Sequence, residues 1–180
     1  MSYRVCFVCT GNICRSPMAE SVFRARVAEA GLEGLVEVDS AGTGGWHEGE
    51  AADPRAVSAL EEHGYDTEHV ARQFQPSWFA RLDLVIALDH GHLETLRRLA
   101  PTAEDARKIH LLRSYVRPSP GPHPSTSTSP VPSESTGDDL DVPDPYYGGR
   151  DGFEECLEMV EAASTGLLAA VRQQLEGRAA

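Results

Sequence analysis

Apolar positions in this chain fall into short continuous runs, alternating with longer stretches in which they recur at helical spacing. Tyr3 to Cys9 (YRVCFVC) is the first run, and Thr10-Gly11-Asn12 closes it, which predicts a buried strand followed by a turn. A helix is expected directly afterwards, with Ser16 as N-cap, Pro17 at the first position, Glu20 in the first turn and Gly31 at the end. Ala19, Val22, Phe23, Val27 and Ala30 would line its apolar face. The alternation continues with Leu35 to Val38 as strand, Pro54 to His63 as helix, Leu82 to Leu88 as strand, His90 to Leu99 as helix and Ile109 to Leu112 as strand. Phe153, Cys156, Leu157, Val160, Leu167, Leu168, Val171 and Leu175 then mark one buried face of a final helix. Strands separated by helices imply an α/β fold, here a single domain over 1–180 whose four-stranded parallel sheet is flanked by helices.

The rhythm breaks between Arg117 and Thr136, where RPSPGPHPSTSTSPVPSEST offers almost no apolar side chain to bury. That composition predicts a flexible low-complexity insert at 117–138. Elsewhere, 41% hydrophobic and 24% charged residues suit a globular domain with a core. Sixteen basic residues against 28 acidic ones give a formal charge of -12, which opposes nucleic-acid and anionic-membrane partners, so any anion site must be built locally. No stretch approaches a membrane span, and Met1 to Val8 lacks the basic leader of a secretory signal. Four cysteines (Cys6, Cys9, Cys14, Cys156) are too few and too clustered for a secreted disulfide framework. A cytoplasmic monomer is the expectation, with signal-less export left open.

The chemistry concentrates in Cys9-Thr10-Gly11-Asn12-Ile13-Cys14-Arg15-Ser16, between the first strand and the first helix. Successive backbone N–H groups of such a loop, with the positive end of the helix behind them, can bind phosphate oxygens without a lysine, so Thr10 to Cys14 and Ser16 are expected to hold the substrate. Gly11 and Asn12 tolerate the positive φ that tight curvature needs. The same field favours a thiolate at Cys9. The planar fork of Arg15 can grip two equatorial oxygens of a transferring phosphoryl group, and the Ser16 hydroxyl can bond the sulfur. Cys14, in the same loop, is placed to trap an oxidised Cys9 as a disulfide and so guard it from over-oxidation.

The segment VCTGNICRSPMAE resembles the low-molecular-weight protein tyrosine phosphatases, whose motif it matches from Cys9 through Pro17. The resemblance covers nearly the whole chain outside the insert, and implies a phosphatase that needs no metal or cofactor, with Cys9 carrying a phosphocysteine intermediate. Such an enzyme needs one carboxyl to protonate the leaving phenol and then to activate water. Asp144, in Asp144-Pro145-Tyr146-Tyr147, resembles the family's general acid, although Asp138, Asp139 and Asp141 are acidic neighbours. Trp46, Tyr146 and Tyr147 would wall a cleft deep enough for phosphotyrosine, which reaches farther from the backbone than phosphoserine. Ser40 resembles the family serine that steadies Asn12, while His69, Arg72 and Asp89 fall in family-like segments as structural support.

Other readings carry less. The glycine spacing of Gly44 to Gly49 is that of a nucleotide loop, but Glu50 stands where its lysine belongs. Cys6-Phe7-Val8-Cys9 has a C-x-x-C spacing, yet lies in a predicted strand with no second ligand pair for zinc. His90 and His92 read as surface histidines. Thioredoxin-coupled arsenate reductases resemble this loop but need further cysteines, and Val85 to Tyr115 holds none. Protein-arginine phosphatases carry threonine where this chain has Ile13. A non-catalytic phosphotyrosine reader would need neither the thiol nor the acid. Phosphotyrosine proteins are thus the expected partners.

Overall fold

The computed structural model describes residues 2–116, 140–147 and 149–179, and the side chains of Tyr147 and Ala179 are not among the described ones. The low-complexity insert expected at 117–138 lies outside them. Four parallel strands, β1 (Tyr3–Cys9), β2 (Val36–Gly42), β3 (Leu84–Ala87) and β4 (Ile109–Leu111), lie in the order β2-β1-β3-β4. Five α-helices accompany them: α1 (Arg15–Glu29), α2 (Pro54–Glu62), α3 (His90–Leu99), α4 (Ala103–Ala106) and α5 (Arg150–Ala179). The sequence pattern places the four strands and all the helices except the single turn α4.

The side-chain period of two along β1 supplies both faces of the core. Tyr3, Val5, Phe7 and Cys9 enter one cluster with Met18, Phe23, Phe153 and Leu157, whereas Cys6 and Val8 enter the other with Phe79, Val85, Leu93 and Leu96. Central strands covered on both faces read as continuous apolar runs, which is why β1 and β3 are legible. On α5 the expected stripe is buried at Phe153, Cys156, Leu157, Val160, Leu167 and Val171, with Leu168 and Leu175 packed at its margin. Each such aliphatic or aromatic side chain contributes roughly 1.5–3 kcal/mol of transfer free energy.

β2 runs four residues beyond its apolar segment, because Asp39, Ser40, Ala41 and Gly42 pair with Cys6, Phe7, Val8 and Cys9 through the backbone ladder. Ladder pairing carries no hydropathy signal, and Leu35, expected to open the strand, is half exposed before it. The start of α1 also differs from expectation. Arg15 is the first helical residue and Cys14 its cap position, with no capping side chain, so Ser16 and Pro17 lie inside the helix and Glu20 beyond the first turn. At the other end, Gly31 does stop the helix, at φ 74. Because β2 and β3 flank β1 on opposite sides, the chain reverses its direction of travel across the sheet at the C-terminal end of β1, where open α/β sheets form their ligand crevice.

Candidate active site

Cys9 is the last residue of β1 and is almost fully buried, with its Sγ facing the start of α1. Ser16 Oγ lies 3.0 Å from that sulfur and the Ser16 backbone N–H points at it from 3.4 Å. Ser16 therefore serves the thiol and not a helix cap, which explains its place in the helix. Cys6 faces the other side of the sheet, since an odd offset along a strand changes face, and no C-x-x-C unit forms. Cys14 is buried as well; burial, Asp53 and Cys9 push its thiol up, which disfavours a thiolate at that position.

The loop between Cys9 and Arg15 is held from behind by Asn12, the one described non-glycine residue at positive φ, 59. Its side-chain amide donates to Ser16 Oγ (2.8 Å) and Ser40 Oγ (3.0 Å), its Oδ1 accepts from Arg72 N (2.9 Å), and its carbonyl oxygen meets His69 Nε2 at 2.7 Å. Ser40 in turn donates to Glu20. The positions read as support, Ser40, His69 and Arg72, thus converge on one loop residue. Gly11 does not use the positive φ allowed it; a Cβ there would instead meet the His47 ring at 2.9 Å. Loop carbonyls are anchored too: Thr43 N donates to Cys9 O (2.8 Å), Gly44 N to Thr10 O (3.1 Å) and Asp53 N to Ile13 O (2.8 Å).

Arg15 is 3% exposed and lies at the bottom of the resulting cleft. Its Nη1 donates to Asp89 Oδ2 at 2.8 Å and to Val142 O at 2.9 Å. Burial pulls the guanidinium down, but Cys9, Asp89 and Asp144 together hold it above its ordinary value. Asp89, which also caps α3 through His92 N, is held below the usual carboxylate range by His92 and Arg15 in spite of its burial. Nη2 of Arg15 lies 3.6 Å from Asp144 Oδ2, and Asp144 is fixed from its other oxygen by Tyr146 N at 3.0 Å, a turn made by Pro145–Tyr147.

These groups surround a cavity of about 270 Å³ lined by Cys9, Thr10, Gly11, Ile13, Cys14, Arg15, Trp46, His47, Asp144 and Tyr146. Trp46 is 72% exposed at its rim, and Tyr146 stacks under Arg55 at 5.3 Å. The Tyr147 side chain, expected as a third wall, lies outside the described residues. A cation at the floor, a sulfur beside a helix start and a carboxyl on the wall can hold a phosphoryl group, attack it and move a proton to or from it.

Two histidines were not legible as parts of this site. His92, read as a surface residue, is 4% exposed and its Nε2 lies 2.8 Å from Thr10 Oγ1. Its partner in that reading, His90, is half-buried against Asp141 at 2.6 Å. The one sequence cue for His92 is its place three residues after Asp89, the cap of a helix that the pattern did place; that Asp89 binds Arg15 is visible only in the structure. His47 gave no such signal, because it enters the cavity from an irregular segment after β2.

The sequence profile of the family described as Low molecular weight phosphotyrosine protein phosphatase matches residues 4–124 and 131–177. A Low molecular weight protein-tyrosine-phosphatase of Streptomyces coelicolor is 71% identical over 180 residues, 100% of each chain. Low molecular weight protein-tyrosine phosphatase A of Mycobacterium tuberculosis is 44% identical over 163 residues, 91% of this chain and 88% of its own. Among solved structures, a protein tyrosine phosphatase from Entamoeba histolytica superposes with a TM-score of 0.82 at 29% identity, covering 96% of this chain and 99% of the other.

Proposed function

The chain belongs to the low molecular weight phosphotyrosine protein phosphatase family, and from that membership and the site we propose that it hydrolyses phosphotyrosine in proteins through a phosphocysteine on Cys9. The observation that carries the assignment of roles is the convergence on one cavity of Cys9, Arg15 and Asp144, with Arg15 Nη2 and Asp144 Oδ2 3.6 Å apart. In the first step the Cys9 thiolate attacks phosphorus, the P–O bond to the phenol breaks, and Asp144 gives that oxygen its proton. The second step reverses the roles: Asp144 takes a proton from water, the water oxygen bonds phosphorus, the P–S bond breaks and inorganic phosphate leaves. Ser16 Oγ, 3.0 Å from the sulfur, stabilises the thiolate as it departs. Arg15 and the loop amides carry the charge on the equatorial oxygens throughout.

Trp46 and Tyr146 line the cavity above Cys9 and Arg15, which supports an aryl phosphate, whose ring can pack against them, over phosphoserine. The absence of cysteine from 85–115 supports hydrolysis over arsenate reduction, and Ile13 supports tyrosine over arginine as the residue freed. A cytoplasmic location is part of the proposal, in keeping with four free cysteines; no described helix is long and apolar enough to cross a membrane. The test is a kinetic comparison of phosphotyrosine, phosphoserine and phosphoarginine peptides with arsenate reduction run alongside. Phosphotyrosine should be turned over best, and turnover of phosphoarginine at an equal or higher kcat/KM would overturn the assignment.

A further inference from the structure

The guanidinium of Arg15 has five N–H groups, and its protein contacts decide which of them remain for substrate. Both at Nη1 are taken, by Asp89 Oδ2 and Val142 O. One at Nη2 points to His92 Nε2, 3.5 Å away. What remains is Nε–H and the second Nη2–H, which faces Asp144 Oδ2 at 3.6 Å, beyond hydrogen-bond reach, so the two form a pair able to take two oxygens at once.

His92 itself is constrained on every side. Arg15 can only donate, so the Nε2 facing it must present a lone pair, and the same lone pair accepts from the Thr10 hydroxyl at 2.8 Å. The ring proton then resides on Nδ1, which lies 3.2 Å from Asp89 Oδ1. That contact is off the hydrogen-bond line, so it is Coulombic in character. A second proton would set an N–H against the Arg15 guanidinium, while the Thr10 hydroxyl would have to turn from donor to acceptor. Burial and Arg15 accordingly push the imidazole down to about 4, with Asp89, Asp144 and Asp141 acting in the opposite sense. The backbone N–H of His92 is also fixed, donating to Asp89 Oδ1 at 2.9 Å.

We propose that His92 is a positioning residue for phosphoryl transfer, whose Nε2 ties the Arg15 guanidinium to Thr10 and so turns its free N–H pair toward the equatorial oxygens. Thr10 follows Cys9 directly, so the same imidazole fixes the nucleophile's loop and the cation relative to each other. The role rests on the phosphatase assignment and extends it to a residue outside the cavity lining.

The conservative substitutions separate positioning from filling space. His92→Gln brings an amide oxygen to about the place of Nε2, whereas His92→Asn reaches only to that of Nδ1. With a phosphotyrosine peptide at pH 7, the Gln variant should keep kcat at least fivefold above that of the Asn variant. In the parent protein, histidine nitrogen NMR at pH 7 should show His92 as the neutral tautomer protonated on Nδ1. A Gln-to-Asn ratio below five, or a proton on Nε2, overturns the proposal. Should either variant fail to fold, the tautomer decides alone. Parent turnover is measured first; its absence would remove the phosphatase assignment, while the tautomer would still test the tie to Arg15.

Discussion

Asp144 and Arg15 are 3.6 Å apart at Nη2 and Oδ2, yet the proposed roles make them respond differently to substitution. A general acid matters in proportion to how badly the leaving group needs a proton. Asp144→Asn should therefore lower kcat by roughly 10² to 10⁴ for peptide phosphotyrosine and far less for an aryl phosphate whose phenol is already acidic. Equal losses for both substrates would remove Asp144 from proton transfer. Arg15→Lys keeps the charge but not the planar fork, and an ammonium cannot satisfy Asp89 and Val142 O while gripping two oxygens. Activity should drop severely, with near-parental kcat/KM being the result that sinks the bidentate grip. Arg15 is buried and tied to Asp89 and Val142 O, so its replacement also costs stability, and thermal unfolding of each variant separates that loss from the loss of activity.

At the scale of elements, β2 shows what the sequence pattern could and could not deliver. Its apolar start was visible, but its functional end, Asp39–Gly42, is polar or small and owes its strand geometry to pairing with Cys6–Cys9. That pairing brings Gly42 against the phosphate loop: a Cβ there would lie 2.7 Å from Thr10 O, 3.0 Å from Gly44 O and 3.1 Å from Asn12 N. All three are backbone atoms, which yield little. Gly42→Ala should destabilise the fold by about 1–3 kcal/mol and lower kcat by deforming the loop. Gly44→Ala makes the informative contrast, because the three atoms nearest its Cβ all belong to the Trp46 ring, which is 72% exposed and can swing away. There the unfolding midpoint should stay put and KM for phosphotyrosine should rise. A parental midpoint and parental kinetics for Gly42→Ala would show that β2 does not shape the site. The loop itself was legible because cysteine, arginine and helix start are adjacent in sequence. Asp144 was placed by its tetrapeptide, since in hydropathy it does not differ from Asp141. Ser16 misled because its residue type favours caps, and its hydroxyl had a closer claimant in Cys9. His92 was missed for another reason: helical periodicity says which face is buried, not that a polar residue on that face will find Arg15 and Thr10 waiting.

For the molecule as a whole, a formal charge of -12 makes mild acid look harmless, since protonation relieves self-repulsion. His92 works against that trend. Its folded value of about 4 lies below the 6.5 of an unperturbed imidazole, so between those limits the unfolded chain binds a proton that the native protein refuses. Stability then rises with pH, and the contribution of neutral His92 is complete above about 6.5 and is lost as pH falls toward 4. From pH 7 to pH 5 the loss amounts to about 2 kcal/mol. Four other histidines lie beside carboxylates, in the pairs His47–Glu50, His63–Glu154, His69–Glu20 and His90–Asp141, so the total pH dependence is a sum over many groups. Subtracting a variant isolates the one of interest. His92→Gln carries no titrating ring and keeps the acceptor, so the parent-minus-variant difference in unfolding free energy, from urea titrations at pH 7, 6 and 5, should fall steadily with acid. A flat difference would mean that His92 titrates normally, and that the imidazole is not locked between Arg15 and Thr10. A falling difference, with kcat of the Gln variant retained at pH 7, would show that the geometry orienting the cation also sets the acid limit of the fold.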